Sequence, residues 1–186
     1  MAHRTTSWLN EQVDHLRAAP TEVGTLDLLV RRPAHGEREV LVAGTLDVDA
    51  GLVGDNWLDR ATSHALAEGR HLLAQLNVMS SRMIGVLADT DEGKALAGDQ
   101  LYLDLDLSHA NLPTGARIAI GETAVIEVTA KPHNGCAKFV RRFGRDAEAF
   151  VNSDVGKELR LRGLNARVVT GGVVRPGDKA RKVQRD

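Results

Sequence analysis

At 186 residues, 42% of them hydrophobic, the chain is long enough to bury one core and too short to need two, so a single domain over residues 1–186 is expected. The 24 Lys and Arg balance 25 Asp and Glu, which leaves no broad basic field for nucleic-acid phosphates and disfavours DNA or RNA as a partner. No apolar run approaches the roughly 18–20 residues that span a bilayer, and the opening MAHRTTSWLNEQVDHLR has no apolar signal core, so a cytoplasmic protein with no membrane partner is expected.

The first predicted element is an amphipathic helix over about residues 6–19, with Trp8, Leu9, Val13 and Leu16 near one face and Pro20 behind it. From Gly24, LDLLVRR and REVLVAGTLDV read as two strands around the breaker PAHGE. The stretch 51–70, with Gly51, Gly54, Asp55 and Asp59 near its start, reads as a long loop. Asn77 is positioned to cap a helix running through Ala88, since Val78, Met83, Ile84 and Leu87 fall close to one side.

After Gly98 the period becomes two. Leu101, Leu103, Leu105 and Leu107 alternate with Tyr102, Asp104 and Asp106, the signature of a half-buried strand with its aspartates outward in a solubilising role. ARIAI and TAVIEVTA flank Gly121-Glu122 as a predicted hairpin, whose second strand runs into KPHNGC. FVRRFGRDAEAFV and SDVGKELRLRG read as two short helices, the second capped by Ser153 and stopped by Gly163; ARVVT, GGVVR and DKARKV return to strands. Short strands with turn signals and a few helical inserts predict a mainly β domain with peripheral helices, an α+β fold built on a barrel.

Chemistry centres on Cys136. As the only cysteine it can form no internal disulfide and no multi-cysteine metal framework. It lies in a turn-rich loop near Lys131, His133, Lys138, Arg141 and Arg142, cations that favour a thiolate, which is both nucleophile and soft metal ligand. The alternative is a small inert core filler. His133 is placed to orient or protonate the thiol, or is an ordinary loop histidine; a lone His-x-x-Cys pair lacks two ligands of a structural zinc site. Lys138, Arg141, Arg142 and Arg145, then Arg160, Arg162 and Arg167, give a local positive excess suited to an anionic ligand, or to a solvated helix face. Walker A, G-x-G-x-x-G and G-x-S-x-G patterns do not occur.

In order, GLVGDNW, AGDQLYLDL, LPTGARIAIGETAVIEVTAKPHNGCAKF, GKELRLRGLNARVV and GGVVRPGD span most of residues 51–178. This succession resembles the short bacterial single-domain members of the MOSC family, named for the C-terminal domain of molybdenum-cofactor sulfurase, with a matching core over about residues 24–183. The resemblance implies a β-rich MOSC fold related to the small barrel domain of pyruvate kinase. It also implies a molybdenum cofactor (molybdopterin), with Cys136 as metal ligand or sulfur carrier, and chemistry that is either sulfur transfer or reduction of N-hydroxylated small molecules. His133, Asn134, Lys138, Arg141 and Arg167 are the further candidate cofactor contacts. The chain shows neither a sulfurase nor a ferredoxin domain, so a separate electron or sulfur donor protein is expected. The family often has Asn where Gln100 stands, and Arg-x-Pro-Cys where His133-Asn134-Gly135-Cys136 stands, which points to an altered pocket. Two other readings stay open: a non-catalytic anion-binding or interaction module, and a metal-free thiol enzyme with His133 as base.

Overall fold

A computed structural model describes residues 3–183. Its strands are β1 (Val23–Arg31), β2 (Glu39–Val40), β3 (Gly44–Asp47), β4 (Gly51–Leu52), β5 (Leu76–Ser80), β6 (Leu101–Asp104), β7 (Arg117–Ile120), β8 (Ala124–Val128), β9 (Leu164–Thr170), β10 (Gly172–Val174) and β11 (Lys179–Val183). Around the main sheet the order is β1-β6-β5-β9-β8-β7-β11, and β11 pairs back onto β1, closing a seven-stranded barrel. Closure removes the edges that an open sheet would expose. All ladders of the ring are antiparallel except β5–β6.

Period-two alternation sorts the side chains into two apolar clusters. Leu26, Leu29, Leu76, Val78, Leu101, Leu103, Ile118, Ile126 and Ala166 fill the barrel. On the other face Leu28, Val30, Met79 and Tyr102 pack with the helices, among them Leu9, Met83, Phe139, Phe143 and Phe150. A register shift between Leu26 and Leu28 lets β1 serve both clusters. A small sheet, β10-β3-β4, adds Leu46, Leu52 and Val174 to the barrel core.

The helices are α1 (Thr6–Glu11), α2 (Val13–Arg17), α3 (Ser63–Ala67), α4 (Ser81–Leu87), α5 (Asp91–Ala95), α6 (Ala137–Phe143), α7 (Arg145–Asn152) and α8 (Asp154–Glu158). None among the described residues is long and apolar enough to cross a membrane. The expected N-terminal helix is broken at Gln12 into α1 and α2, with Leu9 and Leu16 buried. Asn77 does not cap a helix: Leu76–Ser80 is strand β5, and Ser80 caps α4 by accepting from the Met83 N–H. REVLVAGTLDV is not one strand but two, β2 and β3. The 51–70 stretch holds β4, a 3-10 turn at Leu58–Arg60 and α3, and is pinned through Trp57, whose indole donates to the Ala50 carbonyl at 2.8 Å and stacks on His71. The β7–β8 hairpin, and the two helices expected after the cysteine, form with the second capped by Ser153; the first is divided at Gly144 into α6 and α7.

Candidate functional site

Strand β8 delivers the chain into the loop 129–136, and nearly every second residue of that loop is tied down. Thr129 donates its hydroxyl to the Leu73 carbonyl at 2.6 Å and its N–H to the Asn165 carbonyl. Asn165 on β9 returns its amide to the carbonyls of Lys131 and Pro132, at 2.9 and 3.1 Å. His133 Nε2 meets Asp99 Oδ1 at 2.7 Å, and the Gly135 N–H donates to Asn152 Oδ1 at 3.0 Å. A Cβ at Gly135 would lie 2.9 Å from Asn152 Nδ2, so only glycine passes there without a shift. A loop held in this way presents its last residue in a fixed place.

That residue is Cys136. It is exposed and is the N-cap of α6, with an extended backbone. Partial burial raises its pKa, but the N–H groups of Phe139 and Lys138 at the open helix end, and the charges of Arg162 and Lys138, outweigh burial and hold the thiol below its ordinary range.

Beneath the loop lies a buried charge cluster. Asp99, fully buried, accepts from Arg162 Nη1 at 2.7 Å as well as facing His133. Burial works against its carboxylate, but Arg162 and His133 prevail and lower its pKa. Burial lowers the pKa of His133, against the pull of Asp99. Nε2 of His133 is engaged by Asp99, and no hydrogen bond joins the ring to Cys136 among the described residues, so the geometry does not pair the two as thiol and base. Arg162 also donates to the Ala97 carbonyl and lies over the Phe139 ring, tying the cluster to the first turn of α6.

The candidate residues are thus divided. Cys136, His133 and Asn134 share one loop, and Lys138 and Arg141 lie exposed on the helix that Cys136 opens. Arg167 points elsewhere, since it stands directly opposite Glu127 on β8 and binds its carboxylate at 2.6 Å. Gln100 is wholly buried, with its amide oxygen accepting from the Asn77 N–H at 2.8 Å, so the departure at that position serves the frame of the barrel. Sequence reasoning did not single out Asp99, or Arg38, whose guanidinium nears Gly98 alongside that of Arg142. Burial and the neighbouring charges of Arg142 and Arg32 lower the Arg38 pKa.

The sequence matches no protein-family model and no curated protein. Among solved structures, YuaD from Bacillus subtilis is similar at a TM-score of 0.55 and 17% identity, covering 87% of this chain and 97% of that one. YiiM from Escherichia coli is similar at 0.53 and 20% identity, over 87% of this chain and 71% of that one. YiiM from Geobacillus stearothermophilus is similar at 0.51 and 14% identity, over 89% and 74%. The closed barrel is the fold they share. At such identities the likeness concerns the fold and not what the proteins do.

Proposed function

We propose that this is a MOSC-type protein that binds a molybdenum cofactor beside Cys136, whose thiolate either ligates the metal or carries sulfur to it. The observation that carries the reading is an exposed, ionisation-prone thiol on a loop braced at Thr129, Lys131, Pro132, His133 and Gly135. The motif order from residue 51 to 178 and the barrel support it. Among the described residues no group of three or more His, Cys, Asp or Glu could hold a bare metal ion. A molybdenum that arrives with its own pterin dithiolene asks the protein for one soft ligand, and a lone thiolate fits that demand. Bound there, the cofactor would supply oxygen-atom or electron transfer, such as the reduction of N-hydroxylated compounds.

The chain's own residues would do the holding. Asp99 and His133 fix the loop, Arg162 keeps positive charge beneath it, and Lys138 and Arg141 are the exposed cations available to an anionic pterin tail. Arg167 would first have to leave Glu127. Electrons or sulfur would come from a separate donor protein. The test is molybdenum and pterin content after expression in a host that makes the cofactor, wild type against Cys136→Ser. Near-stoichiometric content in the wild type and its loss in the variant are expected. Equal emptiness of both would overturn the reading and leave an anion-binding or interaction module.

A further inference from the structure

Behind the loop, on the side of α8, is a cavity of about 170 Å³ that Cys136 does not line. Its wall carries His109, Lys131, His133, Lys157, Arg160 and Arg162, and no Asp or Glu. Arg162 and His133 have Asp99 behind them. Lys131, Lys157 and Arg160 have no carboxylate partner among the described residues. Arg160 is buried and donates to the carbonyls of Leu107 and Leu112 and meets His109 Nδ1 at 2.8 Å, so nothing of opposite charge neutralises it. It is also the one non-glycine residue, among those described, with a left-handed backbone, at φ 48°; strain of this kind persists only where the surroundings impose it. Arg162 Nε is buried with no hydrogen-bond partner, although its two other nitrogens are engaged. Unneutralised cations around one hollow repel one another, and a bound anion removes that repulsion.

We infer that this cavity is an oxyanion-binding site for a phosphate- or sulfate-class group, formed by Lys131, Lys157 and Arg160 with Arg162 at its back. The volume is below the roughly 300 Å³ at which ordinary ligand pockets begin, so it takes a free tetrahedral ion or the terminal phosphate of a monoester. The inference does not depend on Cys136 holding a metal.

The experiment is titration calorimetry with inorganic phosphate at low ionic strength, chloride as control and glycerol 3-phosphate as a second ligand. Proteins compared are the wild type, the double variant Lys131→Ala/Lys157→Ala and Cys136→Ser. The two lysines are exposed, so the double variant keeps the fold, as circular dichroism would verify; Arg160→Gln, which frees two carbonyls, is the secondary variant. Expected are phosphate binding in the wild type, weakening of about tenfold or more in the double variant, and no change in Cys136→Ser. Tighter binding of glycerol 3-phosphate would assign a monoester end group, and tighter binding of phosphate a free ion, each within the proposal. A wild type that binds phosphate no better than chloride, a double variant that binds as well as the wild type, or loss of binding in Cys136→Ser would overturn it. Empty molybdenum assays with intact phosphate binding would sink only the cofactor reading.

Discussion

Two buried aspartate–arginine pairs meet at the start of β6, and they are built differently. In the first, Arg32 Nε and Nη2 grip both oxygens of Asp55 at 2.8 and 2.7 Å, and Nη1 donates to Asn77 Oδ1 and the Gly98 carbonyl. Every nitrogen of that guanidinium is used. In the second, one residue on from Gly98, Asp99 holds Arg162 through a single nitrogen, shares itself with His133, and leaves Arg162 Nε unpartnered. The saturated pair has no capacity left for a ligand and serves as a clamp between β1, β5 and the 51–57 segment. The under-satisfied pair lies between the cysteine loop and a basic cavity, where spare hydrogen-bonding capacity has a use.

Cutting each pair tests this contrast. Asp55→Ala strands a buried guanidinium that Asp55 holds through two nitrogens, and a loss of about 3–5 kcal/mol is expected by urea denaturation. Asp99→Ala also strands an arginine, but water in the adjoining cavity can reach it, and a smaller loss of about 2 kcal/mol is expected. Equal losses would break the distinction.

Acid sharpens it further. Because burial holds the His133 pKa below its ordinary 6.5 in the native state, an unfolded chain takes up that proton first. The stability His133 contributes is therefore fully present above about pH 6.5 and is lost as pH falls through the native value. His133→Gln should flatten part of this slope in pH-dependent melting. His109, also lowered by burial and by Arg160, adds to the slope in the same sense. A smaller effect is expected at Gly135→Ala, where the new Cβ presses Asn152: about 1 kcal/mol by denaturation.

The barrel was legible where one face of a strand is apolar and the other polar, as in the β7–β8 hairpin. It was not legible at Leu76–Ser80, because helices cover the outer face of β5 and Met79 is buried as fully as Val78; without alternation the run reads equally well as helix. Tyr102 follows the same logic on β6: it points away from the barrel, as its period requires, yet is buried under the helices. At the site, Cys136 declared itself through its neighbours in sequence. Its support did not, since Asp99 and Arg162 are 63 residues apart and no local pattern pairs them. Arg167 misled for the converse reason: charge near a motif is visible in sequence, whereas the strand register that sets it against Glu127 is not.

All of this places a reachable, ionisation-prone sulfur at the end of a braced loop. The most direct test is the pH dependence of Cys136 alkylation by iodoacetamide, followed by mass spectrometry on the folded protein. A midpoint below the roughly 8.5 of a free cysteine is predicted. A midpoint at or above that value, or a thiol that reacts only after unfolding, would contradict it.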